Sequence, residues 1–200
     1  MQRENKSEKL SPQTLYQTLS ENNVDYFCGV PDSLLSSFIF YLEDHAKGSH
    51  DIAANEGNAI GLAIGCYLSI SKIPLVYMQN SGIGNSINPI VSLADPSVMG
   101  IPMILLIGWR GQPGKKDEPQ HLKQGLITCD LLDTIGIPYT ILSRFKDKAS
   151  VQIAKSVKNA IESKRPFALL VENDVLSEYE RVVKPVTKYK LNGEEALKLV

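Results

Sequence analysis

The chain has 200 residues, 43% of them hydrophobic and 22% charged, with a formal net charge of −1. That length buries one sizeable core rather than two, and the near-neutral balance supplies no basic stripe for a polynucleotide backbone, which excludes a nucleic-acid partner. No apolar run reaches bilayer-spanning length and Met1 to Leu10 is a polar tail, so the expectation is a cytoplasmic protein with no membrane partner.

From Ser11 onward, short apolar runs alternate with segments of helical period. Helices are predicted over Pro12–Glu21, Leu34–Asp44, Glu56–Ser69, Asn85–Ser92, Leu122–Ile135 and Ser150–Ser163. Ser11 is an N-cap signal before Pro12, and Asp32 or Ser33 opens the second helix. Strands are predicted at Tyr26–Val30, His50–Ala53, Leu75–Gln79, Met103–Ile107, Tyr139–Leu142 and Ala168–Val171, most of them apolar throughout. This alternation implies an α/β fold: a doubly wound, mostly parallel six-stranded sheet with helices on both faces, filling residues 11–177. Residues 178–192 are polar and read as a linker. Asn192-Gly193-Glu194-Glu195 then opens a helix over 193–200, the expected start of a further domain. Cys28, Cys66 and Cys129 are far apart among apolar neighbours and read as buried, reduced thiols. His45 and His50 carry no assigned role.

In open parallel sheets ligands bind beyond the carboxyl ends of the strands, so the turns after the strands hold the candidate site. The densest signal is Ala53-Ala54-Asn55-Glu56-Gly57-Asn58, a glutamate in the first turn of a helix among small residues. The helix dipole alone would favour a carboxylate there. The flanking alanines and glycines, however, leave a small slot beside it. Gly57, Gly61 and Gly65 share one helical face, and each costs the helix about 1 kcal/mol relative to alanine. A tight interface on that face is expected, against the sheet or against a partner. The turn Gly29-Val30-Pro31-Asp32-Ser33, the Asn80–Pro89 segment and the long loop from Gly108 to Gln120 complete the candidates. Asp32 is also an ordinary turn residue and cap, and the Gly82 segment is also a plausible anion nest. It matches neither common nucleotide-loop pattern.

Glu56 followed by Gly-Asn-Ala and a small-residue helix resembles the pyrimidine-binding domain of thiamine diphosphate-dependent 2-oxoacid decarboxylases. The resemblance covers residues 11–185. It implies that Glu56 hydrogen-bonds the aminopyrimidine ring and activates the cofactor, with Pro31, Gly82, Asn85 and Asn88 lining the cofactor pocket. The Gly-Val-Pro turn implies a substrate-facing Asp32, beside Ser33. In the loop, His121 matches the second residue of the family's histidine pair while Gln120 stands where the first would be, a departure from the pyruvate-type enzymes. Gly-Trp-Arg-Gly at 108–111 and Asp-Glu-Pro-Gln-His at 117–121 are most similar to the phosphonopyruvate branch of the family, with the sulfopyruvate alpha subunits close. Both substrates carry a second anionic head, for which Arg110, Lys115 and Lys116 are candidate partners and arginine's planar fork is best suited. The reading is decarboxylation of 3-phosphonopyruvate, with catalytic Glu56, Asp32 and His121 and substrate contacts from Asp32, Ser33, Arg110, Gln120 and His121.

The family holds the diphosphate through Mg2+ on a Gly-Asp-Gly motif, and no Gly-Asp dipeptide occurs here. No metal ligand is therefore assigned to this chain. The resemblance implies that thiamine diphosphate and Mg2+ are completed by a complementary diphosphate-binding domain or subunit, or within a homo-oligomer. The alternatives are an alpha subunit acting on sulfopyruvate and a non-catalytic assembly module that keeps the fold and the glycine face.

Overall fold

The computed structural model describes residues 9–182 and Lys198. The expected tail over 1–8 lies outside the described residues, as do the later part of the linker and, apart from Lys198, the helix over 193–200. The sheet has six strands, β1 (Val24–Gly29), β2 (His50–Ile52), β3 (Ile73–Gln79), β4 (Met103–Gly108), β5 (Tyr139–Ile141) and β6 (Pro166–Val171). Their order is β2-β1-β3-β4-β6-β5, and every neighbouring pair is parallel. The central strands β3 and β4 are buried almost throughout, which is why they are uninterrupted apolar runs. The short edge strands β2 and β5 are exposed and more polar.

Helices α1 (Pro12–Glu21), α2 (Ser36–His45) and α6 (Lys146–Ser163) cover one face, where Leu15, Phe38, Leu42 and Ile153 pack against Phe27, Leu106 and Leu169. Helices α3 (Glu56–Ile70), α4 (Ile83–Pro89) and α5 (Pro119–Thr134) cover the other, joining Ala59, Ile60, Ile83 and Leu132 to Val76, Met78 and Leu105. The predicted core alternation therefore holds, and the sheet is parallel without exception.

Local chemistry explains where the boundaries moved. Ser11 caps α1 as expected, its Oγ accepting from Thr14 N–H at 3.1 Å. Asp32 caps a short 3₁₀ turn over Ser33–Leu35, so α2 begins two residues later than predicted. The helix that starts at Ile83 does not stop at Pro89. It widens into a π-type turn over Ile90–Ala94, in which Asp95 N–H reaches Ile90 C=O at 2.9 Å. Helix α6 starts at Lys146, four residues before the predicted Ser150; Lys146, Asp147 and Lys148 are exposed and show no apolar period, while Ala149 is already buried.

The C-terminal stretch expected as a linker begins packed on α2. Tyr179 Oη donates to Asp44 Oδ2 at 3.0 Å, Val182 N–H donates to the same oxygen at 2.8 Å, and Arg181 pairs with Glu43 and stacks over Phe40. Of the thiols, Cys28 is buried, whereas Cys66 and Cys129 are only half-buried; all three are free. Among the described residues, no helix is long and apolar enough to cross a membrane.

Candidate active site

The chain turns one way from β1 through α2 to β2 and the other way across to β3, so the switch point lies between the carboxyl ends of β1 and β3. Asp32 and Ser33 follow β1, the Gly82 turn follows β3, and the loop carrying Arg110 follows the neighbouring β4.

Glu56 is the first residue of α3, held there by Asn55, whose Oδ1 accepts from Asn58 N–H at 2.9 Å. Its carboxylate reaches across to α4, where Asn85 Nδ2 donates to Oε2 at 2.7 Å. Gly82 walls the other oxygen: a Cβ at that position would stand 2.5 Å from Glu56 Oε1. Any other residue would push the carboxylate aside. The expected slot therefore exists, formed by Gly82 and Asn85. It differs from the sequence reading in being half-open, since Glu56 is half-buried and Asn85 is exposed. Asn88 lies one turn further along α4, and its Oδ1 accepts from Ser92 Oγ at 3.0 Å.

A second group forms on the β1 turn. Asp32 is buried; its Oδ2 accepts from Leu34 N–H at 3.0 Å, and its buried Oδ1 has no hydrogen-bond partner. Gly108 closes β4 against it, since a Cβ there would lie 2.1 Å from Asp32 Oδ2. Burial raises the Asp32 pKa, opposed by the backbone N–H groups of the turn and by Arg110. Arg110 is fully engaged along one edge: Nε and Nη2 meet Asp117 Oδ2 and Oδ1 at 2.9 and 2.6 Å, and Nη1 donates to Ser33 Oγ at 2.7 Å. Gly111 and Glu118 N–H groups also bind Asp117, and the Arg110 fork, foremost, holds its carboxyl well below the usual carboxylate range. The guanidinium expected to meet the substrate is thus already paired, and only its outer N–H groups remain for a ligand. It borders a cleft of about 280 Å³ together with Ser33, Trp109, Lys115, Lys116 and Asn173.

Pro31 is exposed on the same turn. Gln120 and His121 sit in the first turn of α5, which Pro119 opens, rather than at the end of the loop. The structure therefore brings Glu56 together with Gly82 and Asn85, and Asp32 with Ser33 and Arg110. No hydrogen bond among the described residues joins His121, Gln120 or Asn88 to either group. Asp117 and the fully buried Asn80 are the members that sequence reasoning left without a role, although both lay inside segments it singled out.

Beside the Glu56 turn, a groove of about 950 Å³ runs along α3 past Gly57, Gly61, Gly65, Leu62 and Ile70. Gly57 backs onto Asn85 C=O, while a Cβ on Gly61 or Gly65 would meet nothing within 4 Å. The glycine face is therefore turned outward, away from the domain's own sheet.

A parallel, doubly wound sheet presenting a glycine-walled glutamate at its switch point defines a domain of the thiamine diphosphate-binding type. The family described as "Thiamine pyrophosphate enzyme, N-terminal TPP binding domain" matches residues 12–132, and the chain belongs to that family. It is 34% identical over 164 residues to a sulfopyruvate decarboxylase subunit alpha from Methanococcus maripaludis, covering 80% of this chain and 93% of that one. It is 32% identical over 150 residues to a phosphonopyruvate decarboxylase from Streptomyces viridochromogenes, covering 75% of this chain but only 37% of that protein. Benzoylformate decarboxylase from Polynucleobacter necessarius shares the fold, with a TM-score of 0.63 at 16% identity over 91% of this chain and 33% of its own.

Proposed function

We propose that this chain supplies the pyrimidine-binding half of a thiamine diphosphate-dependent 2-oxoacid decarboxylase acting on 3-phosphonopyruvate. The observation that carries this reading is the Glu56 carboxylate, oriented by Asn85 and walled by Gly82. That arrangement fits the aminopyrimidine end of the cofactor: Asn85 occupies Oε2, leaving Oε1 at the Gly82 wall to hydrogen-bond a ring nitrogen. When bound, thiamine diphosphate supplies a carbon nucleophile and a sink for the electrons released with carbon dioxide. Among the described residues no cluster of His, Cys, Asp or Glu could hold a metal, and the chain lacks a Gly-Asp dipeptide. The diphosphate and Mg2+ are therefore assigned to a complementary domain or subunit.

This chain's own residues then do three things. Glu56, oriented by Asn85 at the start of α3, hydrogen-bonds the pyrimidine ring and shares a proton with it. Asp32, buried on the β1 turn with one carboxyl oxygen unpartnered and its pKa raised by that burial, faces the substrate as one proton carrier, with His121 as the second. The outer N–H groups of Arg110, with Lys115 and Lys116, receive the anionic head in the cleft beside Ser33. Pro31 and Asn88 line the pocket at its rim, and Gln120 faces the substrate next to His121.

A second reading, an alpha-type subunit acting on sulfopyruvate with a separate diphosphate-binding subunit, is favoured by the alignment over 93% of such a subunit. The two heads are both tetrahedral oxyanions, and the same cleft serves either. The chain, thiamine diphosphate, Mg2+ and a diphosphate-binding half are combined and carbon dioxide release is followed with each 2-oxoacid. Turnover of phosphonopyruvate that falls about 100-fold or more in Glu56→Gln is the expected result. Turnover of sulfopyruvate alone selects the second reading, and equal rates for Glu56→Gln and the parent refute the cofactor role.

A further inference from the structure

Asn80 is the first residue after β3, completely buried, with both amide hydrogens and the amide oxygen of its side chain hydrogen-bonded. Its Oδ1 accepts from the backbone N–H of Arg110 at 3.2 Å, and its Nδ2 donates to the Arg110 C=O at 2.9 Å. The second Nδ2 hydrogen goes to Thr128 Oγ1 on α5, also at 2.9 Å. The Asn80 C=O in turn accepts from Gln124 Nε2 at 3.0 Å, and the buried Thr128 hydroxyl donates to Gln124 C=O at 2.7 Å. One side chain therefore grips both backbone polar groups of a residue 30 positions away and ties them to a helix.

That grip matters because of what Arg110 does with its side chain. Its bond to Ser33 reaches the β1 turn, but its ion pair with Asp117 lies within the same loop and would move with it. Besides that Ser33 bond and a Gln112–Glu172 bond further along the loop, the Arg110 turn is attached through Asn80, through the Trp109 indole, which donates to Gly125 C=O at 2.9 Å, and through Trp109 N–H, which donates to Val171 C=O at 2.9 Å. The packing there leaves no slack: a Cβ on Gly125 would lie 1.8 Å from Gly111 C=O and 2.6 Å from Arg110 C=O.

We propose that Asn80 is a positioning residue: its side-chain amide fixes the backbone of Arg110 and so aims the guanidinium at the β1 turn beside Asp32. Asparagine is demanded by the donor and acceptor count. The site needs two donors and one acceptor from a single short, uncharged side chain, and a carboxylate would face the Arg110 C=O and a Thr128 hydroxyl whose hydrogen is already committed. The link to substrate rests on the decarboxylase reading; the grip itself does not.

Trp109 is the only tryptophan in the chain, so its emission reports the turn directly. In the full-length chain, Asn80→Asp is expected to shift Trp109 emission to the red at about pH 8 and to speed amide exchange at Arg110 and Gly111. Both should return toward the parent values at about pH 5, where the protonated carboxyl regains a donor. Arg110, Asp117, Asp32 and His121 also lie in this region, so the parent is run over the same pH range, and the difference between the two curves is what is read. Asn80→Ala should stay shifted at every pH. Thr128→Val removes one acceptor, keeps the volume, and should give a smaller shift of the same sign, deciding the matter if Asn80→Asp does not fold. Parent-like emission in Asn80→Asp at the higher pH, or a shift that acid does not reverse, overturns the proposal, as does parent-like emission in Thr128→Val. With the complementary half present, Asn80→Asp should raise KM for the 2-oxoacid about tenfold at unchanged cofactor half-saturation. If even the parent fails to turn over, the decarboxylase reading fails while the emission result still judges the grip.

Discussion

The two faces of the sheet are alike inside and unlike outside. Under α1, α2 and α6, and equally under α3, α4 and α5, a continuous apolar layer is sealed from water. On the outer side, among the described residues, α6 exposes Val151 and Ile161, and the segment 178–182, which covers α2, exposes Val182. The opposite face exposes Leu62, Leu68 and Ile70 on α3, Val91 and Leu93 after α4, and Leu122 and Leu126 on α5. Apolar exposure is thus denser on this second side, a concentration of the kind that suits an interaction surface. It is also the face to which Glu56 and Asn85 belong. The lesson is that this domain finishes its core by itself and leaves its candidate site open toward whatever covers α3, α4 and α5.

Substitutions can break this comparison, beginning with those that should reveal no difference. Leu42→Ala under α2 and Ile60→Ala under α3, both fully buried, should each cost about 2–5 kcal/mol in urea unfolding. A much smaller cost for Ile60→Ala would mean that the second face is not closed within the chain. Next in size, Leu62→Glu and Leu126→Glu should each weaken association with the diphosphate-binding half by about 2 kcal/mol or more, over tenfold in Kd by calorimetry. Val151→Glu and Ile161→Glu on the other face should leave that Kd unchanged, and equal losses on both faces would erase the asymmetry. Gly82→Ala forces its new methyl into Glu56 and should destabilise the fold by about 1–3 kcal/mol while weakening cofactor binding in the assembled protein.

The smallest effects are in the acid limb of stability. The Asp117 pKa is lowered in the folded state from its ordinary 3.8, so its contribution is present above that value and is lost as pH falls through the folded one. Asp117→Asn should therefore flatten the loss of Tm on acidification below about pH 4. Asp32 is shifted the other way, so the folded state holds its proton more tightly, and the stability that proton brings is lost as pH rises. Asp32→Asn should flatten the curve on that side instead.

Much of the fold was legible because the central strands are buried on both faces and so are written as plain apolar runs, as in Leu75–Gln79 and Met103–Ile107. Helix starts were less so. The polar first turn of α6 carries no period, and the helix read from Asn85 to Ser92 begins instead at Ile83, directly out of the Gly82 turn. The site divides in the same way. Glu56 stood out from its local motif, the family resemblance implied Gly82 and Asn85, and the structure joins the three. The grip of Asn80 on Arg110 and Thr128 spans 30 and 48 positions, and the Arg110–Asp117 pair depends on how one loop folds back. Such pairings are set by tertiary geometry and leave no periodic trace. Of the glycine row, Gly57 packs closely within the chain, against Asn85 C=O; at Gly61 and Gly65 the space is open, which rules out the sheet as their neighbour and leaves the partner alternative.

The central claim is that Glu56 forms half of a cofactor site which another diphosphate-binding half completes. Calorimetric titration of thiamine diphosphate with Mg2+ into the chain alone, the complementary half alone and the mixture tests it most directly. The prediction is full-affinity binding only in the mixture, weakened by Glu56→Gln in this chain. Tight binding to this chain alone, or a mixture whose affinity is indifferent to Glu56→Gln, would contradict it.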